Sequence, residues 1–388
     1  MFKKTKVCTG LVFAFGGTLA LGVAPAFGQQ QLDRVEITGS AIKRIDAETA
    51  VPVTIIKIED LKKSGVTTVE EVVNRLGSNQ QMQGTSQNVG LGTGGAAFAN
   101  LRGLGQNKTL VLLNGRRLAN NAIDSTAPDL NMIPFAALER VEVLRDGASA
   151  QYGSDAIAGV INVVLKKGAT GGDVELSGGQ YSAGDGQIWQ GSANFGLPLN
   201  NDKGWLRFSL QEGNQNITNR AGVDRRRPQD GVRQRFGDPA VRDHNLFLNS
   251  QYDLTPGVQL YAFGHYGKRD STSTAFFRSV DNSNSAPAIY PDGYLPLENS
   301  DSTDQSLVAG LRGKTSGGWR WDISGNYGAN RVSYATENSV NRAFLNDFGS
   351  SPTRFHDGIL KATQQSFDID LAKELSVGWL PNPVTLAF

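Results

Sequence analysis

The chain has 388 residues, of which 38 are basic and 37 acidic, giving a net charge of +1, and its mean hydropathy is negative. The charge balance gives no argument for a nucleic-acid partner, and the low hydropathy excludes a helical membrane protein. A β-barrel stays open, because barrel strands turn one face to water and leave little hydropathy signal. The one cysteine, Cys8, excludes a disulfide framework and a thiolate metal site.

In chain order, residues 1–28 read as a secretory signal peptide. Lys3, Lys4 and Lys6 precede an apolar run, and Ala26-Phe27-Gly28 gives a small-x-small cleavage site. Residues 29–48 are polar and flexible, and within them Val35-Glu36-Ile37-Thr38-Gly39 is a short β-prone patch. Such a patch can add to the edge of a partner's sheet, or can be the first strand of the domain that follows.

Residues 49–168 are expected to form a small mixed α/β domain. Val51 to Ile58 reads as a strand, Glu59-Asp60 opens a helix, and Thr68 caps a second helix that ends at Gly77. Gln80 to Asn100 is glycine-rich and without periodicity. Gly90 to Gly95 fits G-x-G-x-x-G, but no strand precedes it and no helix follows, so a loop explains it better than a dinucleotide site. Thr109 to Leu113 reads as a buried strand ended by the turn signal Asn114-Gly115, and Ile133 to Leu138 as a short helix. Leu138 to Lys167 is a strand, a glycine-containing turn at Asp146-Gly147, and a second strand from Ala158 to Leu165 that is apolar on both faces.

From Gly172 onward, eight segments alternate apolar and polar residues, and Val384 to Phe388 begins a ninth. They centre on Val174–Leu176, Trp189–Leu199, Leu206–Leu210, Leu246–Leu254, Val258–Tyr266, Leu307–Leu311, Trp319–Tyr327 and Phe367–Leu371. Long connections are expected at about 213–244, 268–304 and 335–364, and every long one falls at the same end of the sheet. Outer-membrane barrels sort their loops in this way. An eight-strand barrel is filled by side chains, and roughly 22 strands are needed for a plugged lumen, so residues 172–388 are expected to be part of a larger barrel and the chain a fragment. His265, beside Tyr261 and Phe263 on the expected lumen face, reads as a wall residue. His244, His265 and His356 form no ligand cluster.

The motifs Asn100-Leu-Arg-Gly-Leu-Gly105, Leu110-Val-Leu-Leu-Asn-Gly-Arg116 and Leu138 to Lys167, followed by the alternating segments, resemble the TonB-dependent outer-membrane receptors. The resemblance implies a plug domain inside an antiparallel transmembrane β-barrel, here incomplete, in the outer membrane of a Gram-negative cell. The plug would sit on the periplasmic side of the lumen. It implies a receptor that imports a scarce solute of the ferric siderophore, cobalamin or carbohydrate class. Energy would come from the TonB–ExbB–ExbD complex, and the patch at Val35–Gly39 would be the TonB box. Lipid, lipopolysaccharide and the barrel assembly machinery are the other implied partners. No enzymatic activity, cofactor or metal is implied. Arg102 and Arg145 match the arginines that face wall glutamates in the family. Ligand contacts are expected from the plug apex and outer loops, with Gln83, Ser86, Asn88, Asn120, Asn121, Arg225, Arg226 and Arg227 as candidates; the three arginines would suit an anionic ligand or lipopolysaccharide phosphates, and a solvated loop is the plainer reading. A nonfunctional receptor remnant and a passive porin or adhesin are the alternative functions.

Overall fold

The computed structural model describes residues 53–80, 85–87, 89–145, 149–225, 231–378 and 384–388. The leader, the patch at Val35–Gly39, the prolines at 381 and 383, and four candidate ligand residues (Gln83, Asn88, Arg226, Arg227) lie outside the described residues.

The first domain is built on a five-stranded sheet of β1 (Val53–Lys57), β2 (Thr109–Leu113), β3 (Arg116–Arg117), β4 (Leu138–Leu144) and β5 (Gly159–Leu165). Their spatial order is β1-β4-β5-β2-β3, with β2 and β5 parallel and the other pairs antiparallel. The two continuous apolar runs are the central strands β5 and β2, and every residue of both is buried. Strands covered on both faces need such runs. Helices α1 (Ile58–Lys62) and α2 (Val69–Asn74) supply Ile58, Val69, Val72 and Val73 to the core. The Thr68 hydroxyl caps α2 by accepting from the Glu71 amide at 3.2 Å, and the Glu71 carboxylate accepts from the Thr67 amide at 2.6 Å. The helix expected at 133–138 is a single 3-10 turn, Phe135–Ala137, because Leu138 already belongs to β4. A four-residue helix, α3 (Ser149–Tyr152), lies between β4 and β5.

Gly159 opens β5 at a φ of +137°, and a Cβ there would lie 2.3 Å from the Leu144 carbonyl oxygen and 2.9 Å from Leu101 Cδ1. Only glycine allows β4 and β5 to meet at this point.

A nine-stranded antiparallel sheet follows. It comprises β6 (Gly172–Gly179), β7 (Ile188–Leu199), β8 (Gly204–Gln215), β9 (Ala240–Thr255), β10 (Val258–Thr274), β11 (Leu297–Lys314), β12 (Arg320–Glu337), β13 (Phe355–Leu375) and β14 (Val384–Ala387). Each strand pairs with its neighbour in sequence. All eight expected segments and the start of the ninth are strands, and the long connections 216–239, 275–296 and 338–354 fall at one end. These connections are shorter than expected because the strands are longer. β9 to β13 run to between 16 and 21 residues, well past the 9–11 that suffice to cross a membrane. The third long connection also carries a helix, α4 (Arg342–Phe348).

One face of this sheet exposes Val174, Leu176, Trp189, Leu197, Leu246, Leu248, Tyr327 and Phe367. The other face wraps the first domain and buries Asn194, Arg207, Gln211, Asn249, His265, Asp304, Asn326 and Asn330. That inner face is not uniformly polar. Phe247, Tyr261, Phe263 and Val308 belong to the core cluster of the first domain, so the wall completes a core that the first domain begins. Among the described residues no helix is long and apolar enough to cross a membrane.

Candidate functional site at the seam between plug and wall

The first domain plugs the concave side of the wall, and the seam between them carries the polar chemistry of the molecule. At the point where the chain passes from plug to wall, the wall holds the linker by its carbonyls. Asn249 donates to the Lys166 carbonyl at 2.9 Å, and Arg207 donates to the Gly168 and Thr170 carbonyls at 3.3 and 2.5 Å. Lys166 and Lys62 pair with Asp173 and Glu175 of β6 at 3.0 and 2.5 Å.

A tighter charged contact lies across the seam at β12 and β13. Arg116 follows the Asn114-Gly115 turn, where Asn114 adopts a φ of +47° and Gly115 one of +82°. This reversal aims its side chain out of the plug. The guanidinium reaches Asp322 at 2.9 Å, Asp370 at 3.1 Å and Asp368 at 3.8 Å, and the Tyr261 hydroxyl donates to the same Asp322 at 2.7 Å. Asp322 and Asp370 are directly paired in the β12–β13 register, which sets their carboxylates side by side. Burial disfavours the Arg116 cation, but Tyr261, Asp322 and Asp370 outweigh it and hold its pKa above the usual arginine value. Its neighbour Arg117 turns inward to Asp155, and that pairing pulls the Asp155 carboxyl below the usual carboxylate range.

Three further bonds stitch the plug to β8 and β12. The Ala136 amide donates to Gln211 at 3.1 Å, Asn326 donates to the Arg117 carbonyl at 2.6 Å, and the Ala122 amide donates to Asn330 at 2.8 Å. Asn330 also donates to Asp304 at 2.9 Å. Asp304 in turn bonds one ring nitrogen of His265, Ser306 holds the other at 2.6 Å, and the ring stacks on Phe247 at 4.7 Å. His265 is thus a fully partnered wall residue, as its position in the alternation predicts.

Above these contacts lies the plug apex. The Gly90 amide donates to the Thr274 carbonyl at 2.9 Å, and the Gly95 amide to the Ser86 carbonyl at 2.9 Å. The Ser86 amide donates to Glu70 of α2 at 3.0 Å. Asn121 is buried and its side-chain oxygen accepts from the Ile123 and Asp124 amides, while Asn120 donates to the Ser125 carbonyl. Both asparagines therefore shape the apex loop, and Asn121 also lines a cleft with Asp129 and, from the wall, Arg269 and Ser271. Arg225 is exposed on the connection between β8 and β9 and does not line that cleft.

Arg102, at a φ of +57°, donates to the Ala158 carbonyl at 3.0 and 3.2 Å and to the Arg145 carbonyl. These bonds clasp the two ends of the β4–β5 connection inside the plug. The Arg145 side chain is exposed.

Asp129 is a buried carboxyl of the plug. Its Oδ1 accepts from the Ala97 and Asn131 amides, each at 2.9 Å. Burial pushes its pKa up to about 6, with nearby Glu70 adding to the rise and Arg269 and the two amides opposing it. The folded state therefore binds a proton here more tightly than the unfolded chain, and stability falls as pH rises from about 4 to about 6. Two pKa units correspond to about 3 kcal/mol. Asp129→Asn keeps the accepting oxygen and removes the titration. The denaturation midpoint of the wild type is expected to drop between pH 4 and pH 6.5, and that of the variant to stay level over this window. An unchanged slope in the variant would assign the titration elsewhere.

The model of the TonB-dependent receptor plug domain family matches residues 46–160. Among solved structures, the fold is similar to the ferric enterobactin receptor PfeA of Pseudomonas aeruginosa, a point mutant in complex with enterobactin. The identity is 16% over 87% of this chain and 49% of that one, with a TM-score of 0.61. The siderophore receptor PirA of Acinetobacter baumannii gives 18% identity, 86% and 46% coverage, and a TM-score of 0.60. FpvA of P. aeruginosa, bound to a heterologous pyoverdine, gives 14% identity, 88% and 41% coverage, and 0.57. The chain spans about half the length of these proteins. Residues 46–160 thus match the plug domain of the TonB-dependent receptors, and they are held inside strands β6–β14 of an antiparallel wall whose fold is similar to that of the solved receptors.

Proposed function

We propose that this chain acts in the import of a ferric siderophore across the outer membrane, driven by the TonB–ExbB–ExbD complex. The observation that carries this is the plug seated against the inner face of the wall by bonds to β6, β8, β9, β10, β12 and β13. A passive pore has no use for a domain that fills its lumen, and the outer membrane offers no ATP to move one. The similar solved structures are described as a ferric enterobactin receptor, a siderophore receptor and a protein bound to a heterologous pyoverdine, which favours iron chelates over cobalamin or carbohydrates.

In this reading the long connections 216–239, 275–296 and 338–354 face outward, and the plug enters from the periplasmic side. Ligand is met by the apex, through Gln83, Ser86, Asn88, Asn120 and Asn121, and by Arg225, Arg226 and Arg227 of the first long loop. Val35-Glu36-Ile37-Thr38-Gly39 pairs with TonB as an added strand. Arg102 and Arg145 contribute to locking the plug within a closed barrel.

The test is uptake of radioactive iron supplied as ferric enterobactin and as ferric pyoverdine, in cells expressing the receptor with and without TonB. Uptake of one chelate that disappears without TonB is expected. Uptake that survives loss of TonB would indicate a passive pore, and absence of both binding and uptake would indicate a nonfunctional product.

A further inference from the structure

Three clefts follow one another along the seam between the plug and β6–β12. The first lies under the apex, where Gly92–Ala96, Asn121 and Asp129 face Arg269, Ser271 and Ser302. The second lies between the start of α2 and β7–β10, and it too is lined by Arg269, with Asn131, Asp243 and Gln211. The third shares Thr67, Phe135, Gln190 and Gln211 with the second and ends at the Lys62–Glu175 pair, beside Ser192. One residue, Arg269, lines both the first cleft and the second.

Residues that line these clefts carry buried polar atoms without hydrogen-bond partners among the described residues. Ser271, 5% exposed, lines the first, and its hydroxyl has no hydrogen bond among the described residues. Asn131, 8% exposed, lines the second, and its Oδ1 has none. Arg269 Nε, between them, has none either, although the Arg269 guanidinium bonds Asp243. An unmatched buried polar atom costs about 1–3 kcal/mol, and three around one neck would be a heavy cost in a dry seam. Polar space with several such atoms is where water is held. Glycine at position 95 keeps the space open, since a Cβ there would lie 2.0 Å from the Ser271 hydroxyl. Elsewhere the seam is closed by Phe247, Tyr261, Phe263 and Val308, which belong to one apolar cluster with the plug.

We propose that the three clefts form one hydrated path along the plug, closed at a single neck by Arg269 between Asp129 and Asp243, and that this path admits water and small cations when Arg269 withdraws. The charges at the neck favour this class of solute. Asp129, Asp243 and the nearby Glu70 outnumber the one arginine, and Asp129 carries a pKa pushed up to about 6, which lets the neck change charge in mildly acidic medium. This path does not depend on which chelate the receptor imports.

Accessible cysteines test it in the full-length receptor on intact cells, with a small cationic methanethiosulfonate reagent added from outside. Ser271→Cys reports the first cleft, Ser192→Cys the third, and Val308→Cys the apolar seam. Ser271→Cys is expected to label in the parent background. Ser192→Cys is expected to label at least tenfold faster when Arg269 is alanine, with Arg269→Lys between the two, while Val308→Cys stays unlabelled. No labelling at Ser271→Cys would overturn the hydrated path, and this arm needs no change at Arg269. Equal rates at Ser192→Cys in both backgrounds would overturn the neck. Labelling of Val308→Cys as fast as Ser192→Cys would show a loosened plug and would overturn both.

Discussion

Arg116→Ala is expected to loosen the plug from β12 and β13 and to cost about 2 kcal/mol, placed between the values for exposed pairs and for buried pairs broken by loss of one partner. The intermediate figure follows from burial. The Arg116 side chain is 12% exposed and Asp322 25%, whereas Asp370 is 64% exposed and contributes little. Removing the guanidinium leaves Asp322 in a partly dry site, held by the Tyr261 hydroxyl. Arg116→Lys keeps the charge but not the fork that reaches two carboxylates at once, and an intermediate loss is expected. The measurement is hydrogen exchange of the plug amides in detergent-solubilised receptor, combined with a double-mutant cycle on Arg116→Ala and Asp322→Asn. A coupling near zero would reduce the cluster to a solvated surface contact.

A larger loss is expected from Gly159→Ala. The alanine methyl would have to occupy a point 2.3 Å from a backbone carbonyl, in a strand whose seven residues are all buried, and at a φ that side chains rarely adopt. Backbone strain of about 1–3 kcal/mol and overpacking of a similar size add to about 2–6 kcal/mol. Gly115→Ala is the matched control. Gly115 also has positive φ, +82°, but its Cβ would meet nothing within 4 Å, so only the strain of about 1 kcal/mol applies. Hydrogen exchange at Val160 to Leu165 reads both variants. Protection of these amides is expected to collapse in the first and to persist in the second, and equal behaviour would mean that β4 moves aside at low cost.

Much of this architecture is legible in the residues themselves. The apolar runs of β2 and β5 have one solution in a small domain, and strict alternation from Gly172 onward specifies a sheet with two unlike faces. Strand length is where alternation stops informing. Ser300-Asp301-Ser302-Thr303-Asp304 is polar on both faces, so its alternation carries no apolar side and it reads as loop although it lies within β11. Arg269 falls in the same blind region. Asn330 lies within an alternating stretch, but nothing local marks which inner residues will bond the plug. Arg116 closes the motif Leu110 to Arg116, yet its partners Asp322 and Asp370 lie more than 200 positions away. Two aspartates at i and i+2 on β13 mark an acidic inner face, but only the β12–β13 register brings Asp322 beside them.

The shared core has a kinetic consequence. Phe247, Tyr261, Phe263 and Val308 are made after the whole of the plug has been made, and until β9 to β11 form, the plug lacks side chains that its apolar cluster requires. Each buried aromatic or aliphatic side chain is worth about 1.5–3 kcal/mol, so a plug without its wall is both less stable and locally adhesive. Contacts of such long sequence separation form late, because the loops that close them are costly in entropy. Plug and wall therefore mature as one cooperative unit. The interval between synthesis of the plug and closure of the strands around it is the stage at which this chain most needs a chaperone.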